Sequence, residues 1–235
     1  MSEYEIEYKK KPIRSYVVRA GRMTEGQKNA FEKWWPFYGL KLVDGEINPS
    51  DVFAREAPLV VEIGFGMGDS LLQMAKQEPD KNFIGIEVHP PGVGRLINLA
   101  GQEEVTNLRV YMADAKDVME DCIPDASIDR FQLYFPDPWH KKKHHKRRIV
   151  QSEFLDLIAD KMAEGGLVHL ATDWEHYAEH MMEVICDADQ CFANTAEEYC
   201  FSPKPEFRPE TKFEKRGARL GHGVWDIVFQ RKATA

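Results

Sequence analysis

From residue 59 onward the chain alternates short apolar blocks with longer stretches that are apolar on one side only. The blocks at 59–63, 83–88, 108–112, 128–135, 167–171 and 224–230 are five to eight residues long and rich in Val, Ile, Leu and Phe. That is the length and composition of buried strands. The stretches at 69–77, 92–101, 118–122, 152–162 and 174–186 read as helices. Strand, helix, strand in repetition predicts an α/β fold, a mostly parallel twisted sheet with helices on both faces. Ahead of it, Thr24 is placed to cap a helix that carries Phe31, Trp34 and Trp35 as far as Pro36. Asp44-Gly45 and Asn48-Pro49 mark 41–57 as a loop, and Pro, Gly and charge make 201–223 a second, longer one beside the site. Residues 1–22, acidic and then basic, read as a flexible arm before a single domain over 23–235.

Length and apolar content are ordinary and sufficient for a full core. No apolar run approaches the roughly 20 residues of a membrane helix, and the polar start Met-Ser-Glu-Tyr-Glu argues against a secretory signal. Cys122, Cys186, Cys191 and Cys200 form no CxxC pair, which fits reduced thiols in a cytoplasm. Charge changes the picture more. The net charge is −8, yet segments 9–22, 141–148 and 204–219 hold 18 of the 31 basic residues and 3 of the 39 acidic ones. Those segments sum to +15 and the remainder to −23. Such a body repels a polyanion everywhere except at three places, which orients a nucleic acid.

The chemistry gathers where predicted strands end. Glu62-Ile-Gly64-Phe-Gly66-Met-Gly68-Asp69 leaves the first strand of the series and opens a helix. Glycines at alternate positions let a backbone turn sharply and approach a ligand. A dinucleotide fingerprint would need its third glycine at position 69, which is Asp69. Glu62 and Asp69 would also oppose a pyrophosphate, whereas a sulfonium with an amino-acid tail, S-adenosylmethionine, suits them. Glu87 ends the next strand, 23 residues after Gly64, where a carboxylate can accept from a ribose diol. Asp114 follows the third, where it can accept from an adenine amino group.

Leu133-Tyr-Phe-Pro136-Asp137-Pro138-Trp139-His140 then runs directly into Lys-Lys-Lys-His-His-Lys-Arg-Arg148. An acid held between prolines beside an aromatic suggests a pocket for a flat base. The eight residues after it, six of them Lys or Arg, suggest a grip on phosphate. The pairing points to chemistry on a base within a nucleic acid.

These motifs resemble those of the class I methyltransferases, and more closely the bacterial tRNA (guanine-N7)-methyltransferases. The resemblance rests on the 62–68 glycine motif, Gly-Ile-Glu87, Phe-Pro-Asp-Pro-Trp-His-Lys141 with His-Lys-Arg-Arg148, Ala-Thr-Asp173-Trp and Thr211-Lys-Phe-Glu214-Lys-Arg-Gly, and covers roughly residues 15–231. It implies a class I Rossmann-like fold and S-adenosylmethionine bound by Glu62, Gly64, Gly66, Gly68, Glu87, Asp114 and Asp137, with Asp137 catalytic. It implies that Lys141, Asp173, Thr211, Lys212, Phe213 and Glu214 contact the guanosine. It further implies that Lys143, His144, His145, Lys146, Arg147 and Arg148 meet the tRNA backbone, with the variable loop as target. The Asn/Asp-Pro-Pro-aromatic pattern of amino-methyltransferases is not met, because one proline is missing at Asp137-Pro138-Trp139.

Other motifs weigh less. His176-Tyr-Ala-Glu179-His180 fits the HxxEH zinc pattern but has no evident third ligand, so no metal is expected. Trp34-Trp35 reads as core. Two rival readings stand: a class I methyltransferase acting on another acceptor, and an RNA-binding protein of the same fold without turnover. A dinucleotide oxidoreductase is weakened by Asp69.

Overall fold

The computed structural model describes residues 14–17, 22–197, 199–210, 214 and 223–233. They fall into two compact units, one of residues 22–124 and one of 14–17 with 125–233. The expectations for Thr211, Lys212 and Phe213, and for most of the 1–22 arm, lie outside the described residues.

The first unit opens with α1 (Glu25–Tyr38). Thr24 closes a reciprocal capping box, its hydroxyl accepting the Gln27 N–H at 3.3 Å while Gln27 Oε1 accepts the Thr24 N–H at 2.8 Å. Pro36 does not end this helix as expected; it sits in the last turn and the helix runs on to Tyr38. β1 (Gly39–Leu40) precedes the stretch read as a loop, which itself contains a short α2 (Pro49–Phe53). Asn48 caps α2 through the Ser50 N–H at 3.1 Å, and proline at a first helical position costs nothing. The Asn-Pro turn signal was therefore a helix start.

Three strands then alternate with three helices as predicted: β2 (Leu59–Ile63), α3 (Asp69–Gln77), β3 (Asn82–Ile86), α4 (Pro90–Gln102), β4 (Leu108–Tyr111) and α5 (Ala115–Asp121). The strands of this unit pair in parallel in the order β1-β4-β3-β2. Every residue of β2, β3 and β4 is buried, the mark of strands covered on both faces. Two helices begin earlier than read from the pattern. Pro90-Pro91 occupies the first turn of α4, and Asp114 caps α5.

The second unit holds β5 (Ile128–Tyr134), α6 (Ser152–Lys161), β6 (Met162–Thr172), α7 (Glu175–Asp187), β7 (Phe192–Asn194) and β8 (Trp225–Arg231). β5 and β6 are parallel, whereas β8 runs antiparallel to both β6 and β7. β6 starts at Met162 rather than near 167: Ile128 pairs with Met162 and Arg130 with Leu167, so a bulge takes up the intervening residues at Gly165, whose φ is 77°. No helix among the described residues is long and apolar enough to cross a membrane.

Candidate active site

In the first unit the predicted cofactor residues converge on the C-terminal ends of β2, β3 and β4. The turn after β2 is made by Gly64 and Gly66, whose φ values are 76° and 58°. A Cβ built on either would meet open space, so the positive φ, not crowding, demands glycine there, and the loop presents bare backbone. Phe65 between them is buried against Gly85 of β3, where any side chain would collide with it. Glu62, the last acid on β2, is itself buried.

Glu87 stands one residue past β3 and ties the loop down. Its Oε2 accepts the Gly66 N–H at 2.8 Å, and its Oε1 accepts the Val88 and His89 N–H groups at 2.6 and 3.0 Å. Three backbone donors thus fix the orientation of this carboxylate at the loop. Asp114 has a structural task too: Oδ1 accepts the Lys116 N–H at 3.0 Å and caps α5. From α4, Arg95 donates to the Met67 carbonyl at 2.8 Å and to Asp69 Oδ1 at 2.6 Å. Asp69 is thus charge-compensated and opposes a phosphate less than its position in the sequence suggested. Gly92 of the same helix packs so closely that a Cβ there would lie 1.9 Å from the Gly66 carbonyl oxygen.

In the second unit, Asp137 and Asp173 leave the ends of paired parallel strands, since Tyr134 and Ala171 are register partners. Asp137 is exposed, and Asp173 is half-buried. The Asp137 loop is strained on both sides, with Phe135 and Trp139 at φ 52° and 48°. Non-glycine residues held there cost on the order of 1–3 kcal/mol each and persist only where their surroundings impose them. Here the Phe135 N–H donates to the Ala171 carbonyl at 2.8 Å, and the Pro138 carbonyl accepts from Arg148 Nε at 3.0 Å.

The basic run forms a 3-10 turn, Lys142–Arg147, which sorts its side chains in columns of i and i+3. Lys143 and Lys146 share an exposed column. His144 and Arg147 share the column over Trp139, with the Arg147 guanidinium 3.9 Å from that ring. Arg147 also donates to the carbonyls of Arg14 and Tyr16, and Trp139 Nε1 donates to that of Ser15 at 3.0 Å. Trp139 therefore packs the 14–17 segment and Arg147 instead of offering a free platform for a base. His145 and Arg148 form the inner column. Arg148, expected at the RNA backbone, is 2 % exposed, with its guanidinium 4.6 Å over the Tyr177 ring. Burial holds Arg148 below its ordinary pKa, partly offset by Tyr177, whose own hydroxyl burial drives far up. This corrects the reading of the run as six equivalent phosphate ligands.

His176 and His180 each have another partner: the His176 ring meets His145, and His180 Nε2 lies 3.0 Å from the Val150 carbonyl. Glu214 is buried, its Oε2 2.7 Å from Arg208 Nη1 and its Oε1 3.5 Å from Lys204 Nζ.

Residues 56–227 match a protein family described as "Putative methyltransferase". The chain is 68% identical over 225 residues to the tRNA (guanine-N(7)-)-methyltransferase of Saccharophagus degradans, covering 96% of this chain and 98% of the relative. It is 58% identical to the protein of that name from Alcanivorax borkumensis, covering 94% and 92%. The chain belongs to the tRNA (guanine-N(7)-)-methyltransferase family. Among solved structures it is similar to the 16S rRNA methyltransferase KamB, with a TM-score of 0.55 at 16% identity over 92% of this chain and 99% of that one. An rRNA methylase from Streptococcus thermophilus gives a TM-score of 0.51 at 11% identity, covering 75% and 88%. The fold is the Rossmann-like α/β fold of class I methyltransferases.

Within this family frame, sequence reading found the strand-end acids and the glycine turn. It missed Arg95 and Gly92, which brace that turn, and Arg208, which holds Glu214. A Gly-x-Gly-Arg string at 92–95 inside a helical pattern was the available signal for the first pair. Arg208 had none, because its bidentate partner Asp226 stands on β8, eighteen residues on.

Proposed function

We propose that this protein methylates N7 of a guanine in tRNA, in the variable loop, with S-adenosylmethionine as methyl donor. The observation that carries the reading is the 68% identity to a tRNA (guanine-N(7)-)-methyltransferase over 96% of the chain, a span that includes both the glycine turn and the Asp137 loop. The first unit suits the cofactor on chemical grounds. Open space over Gly64 and Gly66 admits a ligand against bare backbone, and Glu62, Glu87 and Asp114 supply acceptors and negative charge for a cation bearing a ribose and an adenine.

When bound, the cofactor supplies a methyl group already activated by the sulfonium, so N7, with an in-plane lone pair and no proton, needs no general base. The chain's work is then alignment and electrostatics, which can supply several kcal/mol. Asp137 accepts from the N1–H and amino edge of guanine, hydrogen bonds that strengthen as methylation at N7 makes the purine ring system cationic. The prolines on either side, with the strained Phe135 and Trp139, keep that carboxylate from wandering. Lys141, Asp173 and the 211–214 segment hold the guanosine. Lys142, Lys143 and Lys146, all exposed, meet phosphates, while Arg147 and Arg148 hold the turn that presents them. N7 lies on the Hoogsteen edge, so the target nucleotide is extruded or locally opened. The compartment this substrate implies is the cytoplasm.

Borohydride reduction followed by aniline cleaves RNA at 7-methylguanosine. After reaction of unmodified tRNA with S-adenosylmethionine and the protein, one cleavage in the variable loop is expected; cleavage elsewhere would move the target, and none would refute N7 chemistry.

A further inference from the structure

The second unit contains a buried polar chain that no part of this mechanism has used. Tyr134 of β5, Ala171 of β6 and Asp226 of β8 are consecutive register partners, so their side chains share one face of the sheet. His169, two residues before Ala171, lies on that face as well. Its Nδ1 is 2.9 Å from the Tyr134 hydroxyl and its Nε2 is 2.7 Å from Asp226 Oδ1. The carboxylate can only accept, which fixes the tautomer: Nε2 carries the proton, and Nδ1 accepts from tyrosine.

Asp226 receives a second, stronger partner. Arg208 donates from Nε to Oδ1 at 2.7 Å and from Nη2 to Oδ2 at 2.8 Å, a bidentate pair. The remaining Arg208 nitrogen, Nη1, faces Glu214 Oε2 at 2.7 Å. His169 is 0 % exposed, Arg208 1 % and Asp226 3 %. The Phe207 ring closes over His169 at 5.6 Å, and the Arg208 guanidinium lies 5.9 Å from the Phe135 ring.

Burying such a group is expensive, and an apolar packing of equal volume often does as well for stability alone. What this chain does accomplish is geometric. One end is Glu214, which closes the Thr211–Glu214 motif. The other is Tyr134, the last residue of the strand that enters the Asp137 loop. We propose that His169, Arg208 and Asp226 are positioning residues, a buried clamp that sets Glu214 and the Asp137 loop for the guanosine without touching it. This rests on the proposed function for its substrate, but the clamp itself is a property of the fold and is testable apart from it.

The test compares Arg208→Lys and Tyr134→Phe with the parent protein. Lysine keeps the charge and loses the fork that engages both oxygens of Asp226 while reaching Glu214. Phenylalanine keeps the ring and removes one link at the Asp137 end. Hydrogen exchange is followed in peptides from 202–214 and 132–140, with α3 as internal reference. Methyl transfer to tRNA is measured as kcat and KM, and S-adenosylhomocysteine affinity by calorimetry.

Arg208→Lys is expected to speed exchange in 202–214 at least tenfold with α3 unchanged, and to lower kcat/KM for tRNA by tenfold or more. S-adenosylhomocysteine affinity should stay within twofold. Tyr134→Phe should give a smaller change, concentrated in 132–140. Unchanged exchange in Arg208→Lys would overturn the clamp. Faster exchange with unaltered tRNA kinetics would overturn its positioning role. If the parent methylates no guanine N7, the proposed function fails, and the exchange result still decides whether the clamp exists.

Discussion

The two units hold their candidate sites by different means. Around 62–114 the glycine turn is held by short-range backbone bonds and close packing: Glu87 takes the Gly66 N–H, Arg95 takes the Met67 carbonyl, and Gly92 abuts Gly66. Around 134–226 the Asp137 loop and Glu214 are held by a buried polar network, charged at Arg208, Asp226 and Glu214, drawn from three strands and the 208–214 segment. A site of the first kind fails when a side chain is added to it. One of the second kind fails when a charge is removed.

The largest effect is expected at the ionic clamp. Asp226→Ala strands Arg208 and His169 without their shared partner, and removing one member of a buried ion pair typically costs about 3–5 kcal/mol. Denaturant unfolding should show that loss, and a change below about 1 kcal/mol would mean that the network relaxes freely. Next, Asp137→Ala should lower kcat on the order of 10²-fold or more, as loss of one electrostatic stabiliser does, while S-adenosylhomocysteine binding falls much less. Equal loss of both would mean that Asp137 chiefly holds the cofactor.

In the other unit, Gly92→Ala places a methyl against the Gly66 carbonyl. Overpacking of this kind costs roughly 1–3 kcal/mol, so S-adenosylhomocysteine affinity should fall about tenfold or more, with the tRNA Kd nearly unchanged. Smaller in energy is the triple change Lys142, Lys143 and Lys146→Ala. The slope of log K against log salt for tRNA should flatten by roughly two to three units, alike for all tRNAs. Arg148→Ala should instead act on stability, because that side chain is buried.

The smallest effect is pH dependence. Burial holds His169 below its ordinary pKa of 6.5, even though Asp226 pulls the other way. The unfolded chain therefore binds a proton that the native one refuses, so this stabilisation is complete above pH 6.5 and is lost as pH falls below it. Burial would raise Asp226, but its bonds to His169 and Arg208 leave it below the ordinary 3.8, which adds a loss in the same direction at lower pH. A melting temperature that rose on acidification from pH 7 to 5 would contradict this assignment.

The same contrast explains what was legible in the sequence. β2 and α3 were readable to the residue, because an apolar run, a glycine turn and a helix start lie next to one another. The acids Glu87 and Asp114 were readable because they stand one and three residues past the ends of β3 and β4. Short elements such as β1 and β7 carried too few residues for any period to show. The division of 141–148 into outward lysines and inward arginines could not be read from charge; it needed the 3-10 geometry and Tyr177, some thirty positions on. Arg208 looked like one more basic residue in a charged loop, since Asp226 and Glu214 become its partners only once β8 is in the sheet.

The most direct measurement is to incubate the protein with methyl-labelled S-adenosylmethionine and unmodified tRNA, digest to nucleosides and identify the labelled one. Label in 7-methylguanosine is expected. Label in any other nucleoside, or none while the cofactor still binds, would contradict guanine N7 as the acceptor.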